Sequence, residues 1–516
     1  MLQINHLSIS HNRSLAPIID DLTFVINPGD KIAIIGEEGN GKSTLLKWIM
    51  RDPSLENHFL IEGTIINQFS RLAYLPQSLP TELEDLSVED YIYSYQTDEY
   101  FDYNLLFQYA NQLNIASEQL NSQQLLKTLS GGEKLKIQLL KMLSLEADLL
   151  LLDEPSNDLD IAAILWLERF IKHSQATILY ISHDTELLSK TANGIIHLEL
   201  LQHKTIAKNT VVHLSYDEYV AQRQAQFQRQ TKLAINQRSE HQKRMEKYRQ
   251  IEQTVEHQQE TITRQDPAGG RLLKKKMHAV KSIGKRFEKE TESFEEMPIQ
   301  EDAINIRFSN VLPLPQNKQI LHWVNQPIYQ GDKLLIEKVD FSIKAPEKVG
   351  IIGANGIGKS TLLKQIWQAL RERTDIKVGY FPQDYYELLA KEETPITFLQ
   401  HDYSADEKTQ IMTYLGSMRF TQDEMHQPIQ QLSGGQRAKL LLLQFDLGGH
   451  NVLLLDEPTR NFSPLSQNQL QELFIDFPGT IIAISHDRSF LKNVFQTIYE
   501  LDENGLKQIP KERLTN

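Results

Sequence analysis

Two short glycine-rich segments of this 516-residue chain end in the same sequence, Lys-Ser-Thr. Backbone N–H groups of such a loop can surround a phosphate at the start of a helix, where the helix dipole also favours negative charge. The lysine then reaches the β- and γ-phosphates of a nucleotide, and the serine holds Mg²⁺. The residues that we expect to bind ATP in this way are Gly36, Gly39, Gly41, Lys42, Ser43 and Thr44 at a first site, and Gly353, Gly356, Gly358, Lys359, Ser360 and Thr361 at a second site.

An Asp-Glu pair follows each of two later apolar runs, which are typical of buried parallel strands. At the end of such a strand, the aspartate is suited to holding the metal. The glutamate is suited to polarising the attacking water as a general base. The two pairs are Asp153 and Glu154 in the first half of the chain, and Asp456 and Glu457 in the second half.

Three further motifs also occur twice, in the same order along the chain. A glutamine follows an aromatic strand end, a Ser-Gly-Gly segment precedes a helical pattern, and a histidine closes an apolar strand. The residues are Gln77 and Gln383; Ser130, Gly131, Gly132 and Ser433, Gly434, Gly435; and His183 and His486. Three of the five motifs keep one offset of 303 residues, so the chain contains an internal repeat of a complete α/β unit.

The five ordered motifs resemble the nucleotide-binding domain of ABC ATPases, over everything outside the middle of the chain. The resemblance implies an α/β fold with two tandem ABC-type P-loop domains. It also implies that Gln77 and Gln383 sense the metal and the attacking water, and that His183 and His486 contact the γ-phosphate. The expected Mg²⁺ ligands are then Ser43, Gln77 and Asp153 at the first site, and Ser360, Gln383 and Asp456 at the second.

In that family, the helix that follows Ser-Gly-Gly caps the γ-phosphate bound by the opposite domain. Lys42 would then face Ser433, and Lys359 would face Ser130. Two ATP molecules would close this pair of composite sites within one monomer.

The two halves differ in two respects. Tyr329 lies 30 residues before Lys359 and is suited to stacking on adenine, whereas the first half offers only His11 at a similar distance. Glu457 is followed by Pro458–Ser463, which lacks the acidic residue that corresponds to Asp160. We therefore expect the two sites to hydrolyse ATP at unequal rates.

The middle of the chain, Tyr216–Phe294, has a strongly helical composition, rich in Gln, Glu, Lys and Arg. Apolar residues recur at intervals of three, four and seven residues in two runs, which indicates a coiled-coil seam. The two runs are Tyr248, Ile251, Val255, Ile262 and Leu273, Met277, Val280, Phe287, Phe294. Between them, Asp266–Gly270 has the composition of a turn.

This pattern predicts a long antiparallel helical hairpin whose first helix has about 45 residues and a length of about 70 Å. Its tip is expected at about residues 263–272. The predicted domains are residues 1–215 and 298–516 for the two ATPase domains, and 216–297 for the hairpin linker.

The hairpin is basic although the whole chain has a net charge of −14. Residues 217–297 contain 17 Lys and Arg against 13 Asp and Glu. Such a cluster can neutralise several phosphates, and recognition of folded RNA through its backbone and shape fits it better than duplex base reading. The candidate RNA-binding residues are Arg264, Arg271, Lys274, Lys275, Lys276, Lys281, Lys285 and Arg286.

Tandem ABC domains joined by a charged hairpin of this size resemble the ABC-F family of ribosome-associated ATPases. The resemblance implies binding of the bacterial ribosome at the tRNA exit site, a linker tip directed at peptidyl-tRNA and the peptidyl-transferase centre, and release on ATP hydrolysis. Pro458–Ser463 is similar to the degenerate segment of the resistance branch, the Lsa, Vga and Sal type proteins. That likeness implies protection against lincosamides, pleuromutilins and streptogramin A.

A housekeeping ABC-F translation factor remains the main alternative. Housekeeping members often carry an extra arm after the glutamine, but 53 residues separate Gln77 from Ser130 and 50 separate Gln383 from Ser433, which leaves no room for one. The tandem ATPase subunit of a sugar importer is a remote alternative, because it would lack the basic hairpin.

The composition excludes several other classes. The chain has no cysteine, which excludes iron–sulfur and thiolate zinc ATPases. The sequence has neither an apolar stretch long enough to span a membrane nor a signal peptide, so we expect a cytoplasmic protein with no membrane domain and no DNA partner.

Overall fold

The structure is a computed structural model. It describes residues 1–94, 101–157, 159–201, 205–261, 267–291, 294, 304, 306–389, 392–401 and 404–514. The chain divides into two compact units, of which one comprises Met1–Tyr216 and Glu301–Asn516 and the other Asp217–Gln300.

The first half of the larger unit alternates strands and helices. Its strands are β1 (Leu2–His11), β2 (Pro17–Ile26), β3 (Lys31–Ile35), β4 (Phe59–Asn67), β5 (Leu72–Leu75), β6 (Leu149–Asp153), β7 (Thr177–Ile181), β8 (Gly194–Leu201) and β9 (Ile206–Val212). Its helices are α1 (Lys42–Ile49), α2 (Val88–Tyr93), α3 (Tyr103–Gln112), α4 (Ser117–Leu120), α5 (Gly131–Leu143), α6 (Ile161–His173) and α7 (Thr185–Thr191).

The smaller unit contains two long helices, α8 (Tyr216–Thr261) and α9 (Pro267–Thr291). The second half of the larger unit follows. Its strands are β10 (Gln319–Gln330), β11 (Lys333–Lys344), β12 (Lys348–Gly353), β13 (Val378–Phe381), β14 (Val452–Asp456), β15 (Thr480–Ile484), β16 (Thr497–Asp502) and β17 (Gly505–Ile509). Its helices are α10 (Lys359–Leu370), α11 (Tyr386–Leu389), α12 (Pro395–Leu399), α13 (Ala405–Ser417), α14 (Gln422–His426), α15 (Gly434–Leu447), α16 (Pro464–Ile475) and α17 (Arg488–Val494).

The two halves have the same central sheet. The strand order is β5-β6-β7-β3-β8-β9 in the first half and β13-β14-β15-β12-β16-β17 in the second. In both sheets the first five strands are parallel and the last strand is antiparallel. Every residue of β6 and β14 is buried, as expected for parallel strands that are covered on both faces. The predicted duplication of an α/β unit is therefore confirmed.

An antiparallel sheet accompanies each central sheet. In the first half it has the order β2-β1-β4, and in the second half β10 pairs with β11. In the second half, the apolar side chains of β10 and β11 pack with those of β12 and α10 in one hydrophobic core. The strand and the helix on either side of the second glycine-rich loop therefore share one core with this antiparallel sheet.

The two helices of the smaller unit run antiparallel. His241 of α8 contacts Phe287 of α9, and further along α8 Tyr248 contacts Gly284. The residue numbers of α9 therefore decrease from contact to contact as those of α8 increase. Helix α8 has 46 residues, which agrees with the predicted length. The small core of this unit contains Val255 with Met277 and Val280.

Two details of the predicted hairpin are wrong. Helix α9 begins at Pro267, inside the segment that we expected to form the turn, because proline is well suited to the first position of a helix. Ile251 is 55% exposed rather than part of the seam, whereas the predicted seam residue Tyr248 packs against the core of this unit. Ile262 and Arg264 lie outside the described residues.

Candidate functional site

The first glycine-rich loop leads from the end of β3 into α1. Gly36 has φ +147°, and a Cβ atom at this position would lie 2.3 Å from the carbonyl oxygen of Leu198, so the close approach of the two backbones requires glycine. Lys42 is the first residue of α1, and its Nζ donates to the carbonyl oxygens of Gly36 at 2.8 Å and Glu37 at 2.9 Å. The loop therefore holds a buried ammonium group at a helix N-terminus.

The second loop repeats this geometry between β12 and α10. A Cβ atom on Gly353 would lie 2.5 Å from the carbonyl oxygen of Leu501. Lys359 Nζ donates to the carbonyl oxygens of Gly353 at 2.9 Å and Ala354 at 3.0 Å. Burial lowers the pKa of Lys359, as it does that of Lys42, although neighbouring carboxylates oppose the shift.

The aspartates of the two acidic pairs lie next to the loop serines. Ser43 Oγ donates to Asp153 Oδ1 at 3.1 Å, and Tyr74 Oη donates to Asp153 Oδ2 at 3.3 Å. In the second half, burial raises the pKa of Asp456 to about 6, against a hydrogen bond from Ser360. A serine hydroxyl beside a carboxylate is a donor set that suits Mg²⁺.

Glu154 is closely paired with His183. His183 Nε2 lies 2.8 Å from Glu154 Oε1, and Asn157 Nδ2 donates to Glu154 Oε2 at 2.9 Å. Burial opposes ionisation of Glu154, but His183, Lys42 and Asn157 outweigh it and lower the pKa of this carboxyl. Glu154 is therefore a carboxylate at neutral pH.

Glu457 has a different environment. Its Oε1 atom lies 3.8 Å from His486 Nε2. Burial and the neighbouring Asp456 raise the pKa of Glu457 to about 8, and burial together with Lys359 lowers the pKa of His486 to about 3. Although the distance would admit an ion pair, both groups are neutral near pH 7, because two buried groups this far apart gain too little from charging.

Residues of both halves of the chain line a cavity of about 440 Å³ at the second site. The first half contributes its Ser-Gly-Gly segment, and the second half contributes its glycine-rich loop and acidic pair. The predicted residues that line this cavity are Ser130, Gly131, Gly132, His183, Gly356, Gly358, Lys359, Ser360, Thr361, Gln383, Asp456, Glu457 and His486.

At the first site the two halves are in direct contact. The backbone N–H of Gly435 donates to Glu38 Oε2 at 3.1 Å, and Ser466 Oγ donates to Glu37 Oε1 at 2.8 Å. His183 is part of the same contact, because Gln467 Nε2 donates to its carbonyl oxygen at 2.8 Å. At both sites, the glycine-rich loop of one half therefore faces the Ser-Gly-Gly segment of the other half.

Each Ser-Gly-Gly segment begins a helix with the serine as its N-cap. Ser130 Oγ accepts from the N–H of Glu133 at 3.4 Å, and Ser433 Oγ accepts from the N–H of Gln436 at 3.3 Å. Both are capping boxes, which satisfy end groups of the helix within the chain. The N-terminus of α15 contacts Glu38 of the opposite half, and that of α5 lines the cavity at the second site.

The remaining predicted residues are exposed. Gln77 lies two residues beyond the end of β5. Tyr329 is 46% exposed on β10, and its carbonyl oxygen accepts from Gln365 Nε2 at 3.1 Å. His11, the first-half alternative, packs against Phe59 with ring centroids 5.2 Å apart.

Sequence reasoning missed Glu37 and Glu38, which contact the opposite half. The signal was present, because the second loop has Ala354 and Asn355 at the corresponding positions. Aligning the two loops residue by residue would have revealed two additional carboxylates in the first one.

In the smaller unit, the predicted RNA-binding residues of α9 lie on its exposed side. Leu273, Met277, Val280 and Gly284 are wholly or partly buried toward α8. The exposed basic residues are Arg271, Lys274, Lys275, Lys276, Lys281, Lys285 and Arg286. Arg264 precedes α9, outside the described residues.

Comparisons with known proteins agree with this architecture. Residues 19–157 and 336–460 match the family model described as ABC transporter. The ribosome protection protein VmlR of Bacillus subtilis (strain 168) is 31% identical, with 95% of this chain and 85% of VmlR covered. The ATP-binding protein Uup of Buchnera aphidicola subsp. Acyrthosiphon pisum is 29% identical, with coverages of 96% and 80%. The solved structure of RNase-L Inhibitor has the same fold, with a TM-score of 0.57 at 18% identity over 98% of this chain and 90% of that one.

Two P-loop domains with these motifs, in one chain, define a tandem ABC ATPase that binds and hydrolyses ATP. Within that class, the chain belongs to the ABC-F family of ATP-binding proteins. Among the described residues, no helix is long and apolar enough to cross a membrane.

Proposed function

We propose that the protein is a ribosome-binding ATPase that uses its helical hairpin to act on the peptidyl-transferase centre. The observation that carries this proposal is the exposed basic side of α9, on a hairpin inserted between two ABC domains. A row of Lys and Arg on one helix side suits the phosphates of ribosomal RNA. The 31% identity to a protein named for ribosome protection supports the same partner. A ribosomal partner implies a cytoplasmic location.

In the proposed ATPase cycle, each glycine-rich loop binds the phosphates of one ATP through its backbone and its lysine. The Ser-Gly-Gly helix of the opposite half donates backbone N–H groups to the γ-phosphate. The two halves therefore close when ATP is bound. Ser43 with Asp153, and Ser360 with Asp456, would hold Mg²⁺, which would supply positive charge to the phosphates. Gln77 and Gln383 would be further oxygen ligands.

The general base of each site is the glutamate of its acidic pair. Glu154 and Glu457 polarise the attacking water, and His183 and His486 orient the γ-phosphate. In the first site, Asn157 and His183 fix the Glu154 carboxylate through two hydrogen-bond contacts. Hydrolysis removes the γ-phosphate that joins the halves, so the halves separate and the protein leaves the ribosome.

Tyr329 supplies an aromatic surface for adenine at the second site. Its ring is 46% exposed on β10 of the same half as Lys359. Adenine stacking on such a ring adds affinity through dispersion and burial of apolar area.

On the ribosome, the proposed binding place is the tRNA exit site, with the hairpin tip toward peptidyl-tRNA. The degenerate segment Pro458–Ser463 favours the resistance branch, in which the protein protects the centre from lincosamides, pleuromutilins and streptogramin A. A housekeeping translation factor would use the same ATP sites and the same hairpin. The two functions differ in whether expression of the protein raises drug tolerance.

The decisive experiment is co-sedimentation of the Glu154→Gln, Glu457→Gln double variant with ribosomes. Blocking hydrolysis should hold both sites closed, so we expect the variant to pellet with ribosomes in ATP and to stay in the supernatant in ADP. A variant that binds ATP but never pellets would refute the ribosomal partner and reopen the importer-subunit alternative. Growth of cells expressing the wild type on each of the three drug classes then separates resistance from a general role in translation.

A further inference from the structure

The first glycine-rich loop carries two carboxylates that the second loop lacks. Glu37 and Glu38 stand at the positions of Ala354 and Asn355. A phosphate-binding loop normally presents N–H groups and a lysine, so two negative charges inside it oppose the binding of an anion. Their presence in one loop requires a compensating function.

Glu38 is held by a backbone amide of the opposite half. Its Oε2 atom accepts from the N–H of Gly435 at 3.1 Å, and a Cβ atom on Gly434 would lie 2.9 Å from the same oxygen. Gly435 is the second residue of α15, a helix of 14 residues, so its N–H is one of the end groups that no helical carbonyl can satisfy. A carboxylate at this point is stabilised both by the hydrogen bond and by the helix dipole.

The surrounding charges agree with this arrangement. In the first half, Lys136 of α5 lies 3.8 Å from Asp160. The corresponding residues of the second half are Lys439 and Ser463, so the acidic neighbour is missing from that half. Glu37 and Glu38 line a small cavity together with the buried Lys439. Two carboxylates of the first half thus lie at the same cavity as Lys439, whose own half has no acidic residue corresponding to Asp160.

We propose that the carboxylate of Glu38 competes with the γ-phosphate of ATP for the N–H of Gly435. The inference rests on the proposed composite site, in which the same N-terminus of α15 caps the ATP bound at Lys42. The carboxylate and the γ-phosphate require the same amide, so ATP binds the first site only when Glu38 leaves it. ADP has no γ-phosphate and does not compete. The first site therefore favours ATP over ADP less strongly than the second site, where Asn355 replaces Glu38.

The test measures ATP and ADP affinity at one site of the full chain at a time. For the first site, the chain carries Lys359→Ala to disable the second site and Glu154→Gln to block hydrolysis, with and without Glu38→Asn. We expect Glu38→Asn to tighten ATP binding on the order of tenfold, because it removes the carboxylate that competes for the N–H of Gly435. ADP binding should tighten much less, because ADP gains only from the loss of a nearby negative charge. Glu38→Gln keeps an acceptor oxygen without the charge and serves as a second variant, expected to change in the same direction.

The second site supplies the reciprocal control. In a chain with Lys42→Ala and Glu457→Gln, Asn355→Glu should weaken ATP binding by a similar factor and ADP binding much less. Equal shifts of ATP and ADP, or weaker ATP binding in both Glu38 variants, would overturn the inference while leaving the proposed sites intact. Loss of all nucleotide binding in the Lys359→Ala chain would instead refute the assignment of the first site, and the inference with it.

Discussion

The Nδ1 atom of His183 lies 2.7 Å from the carbonyl oxygen of Phe462, so a histidine of the first half is hydrogen-bonded to the backbone of the second. Its other ring nitrogen lies 2.8 Å from the carboxylate of Glu154. A carbonyl oxygen only accepts, and so does a carboxylate, so both ring nitrogens donate. Burial opposes this charged form, but Glu154 outweighs it and raises the pKa of His183.

Phe462 belongs to the segment that lacks the acidic residue found at Asp160. Through this carbonyl the degenerate segment contacts His183 of the opposite half. In its own half, the N–H of Arg460 donates to the carbonyl oxygen of Glu457 at 3.3 Å. The inequality that the sequence predicts between the two sites therefore includes an effect exerted across the interface on Glu154. In contrast, Nδ1 of His486 is buried with no hydrogen-bond partner among the described residues.

We predict that Glu154→Gln lowers ATP turnover at pH 7 more than Glu457→Gln does. The lowered pKa of Glu154 keeps it ionised, whereas with a pKa of about 8 only about a tenth of Glu457 is ionised at pH 7. Turnover that remains in Glu154→Gln should rise as the pH increases from 7 to 9, because this ionises Glu457. Steady-state ATPase rates of the two single variants across that range test the prediction. Equal losses at pH 7 would contradict it.

The difference in pKa between Glu154 and Glu457 also predicts that replacing each with Gln has opposite effects on the stability of the fold at pH 8. The unfolded chain ionises Glu457 near the ordinary glutamate pKa of 4.5, whereas the folded chain does so only near pH 8. The folded state then binds the extra proton between these values, so this group lowers the stability as the pH rises through that window. Glu457→Gln, which needs no charge, should raise the free energy of unfolding by about 1–3 kcal/mol at pH 8.

Glu154→Gln is the matched control, because the folded pKa of Glu154 is lowered and its stabilising effect is lost only in acid. It should therefore reduce the melting temperature at pH 8, where Glu457→Gln increases it. Melting curves of both variants at pH 5 and pH 8 measure the two effects. A Glu457→Gln variant that melts below the wild type at pH 8 would refute the proposed burial of a neutral carboxyl.

The elements that bear the motifs could be predicted because local sequence determines them. A glycine-rich turn between an apolar strand and a helix has one favourable conformation, and both loops adopt it with Lys42 and Lys359 as first helical residues. The length of α8 followed from composition alone, since helix-forming residues continue without interruption to Thr261.

Contacts between distant segments were harder to predict. Gly284 has no side chain and is absent from any apolar pattern, yet it lies in the seam because the ring of Tyr248 needs that space. Glu38 and Gly435 are 397 residues apart, and only the packing of the two halves brings them together. Periodicity describes one helix face at a time and contains no information about such pairs.

A third prediction concerns Arg488, which is fully buried between the halves. Its Nη1 donates to Glu168 at 2.8 Å, and it lies 3.6 Å from Glu186 and 3.7 Å from Asp184. Arg488→Met would leave the buried Asp184 without this cation, whereas Glu168 and Glu186 keep their pairs with Lys190 and Lys492. We therefore expect a loss of about 3 kcal/mol of stability. Arg513→Met provides the control, because its pair with Glu500 is largely exposed and should contribute less than about 1 kcal/mol. Urea unfolding curves of both variants measure the difference, and similar curves would contradict the prediction.

The last prediction separates a specific role of α9 from the general charge of the hairpin. Lys274, Lys275 and Lys276 are consecutive exposed residues of α9. Reversing all three to Glu should weaken ribosome binding by at least about tenfold at moderate salt. It should also reduce the slope of log affinity against log salt by about 0.7 for each RNA phosphate that is no longer neutralised.

The matched control reverses three exposed lysines of α8, Lys232, Lys243 and Lys247, and so makes the same change in net charge. Both variants are tested by ribosome co-sedimentation over a salt series in the Glu154→Gln, Glu457→Gln background. If the α9 variant binds as the unreversed chain does, these lysines do not contact the ribosome; if the α8 variant loses as much affinity, the effect belongs to net charge and not to this side of α9.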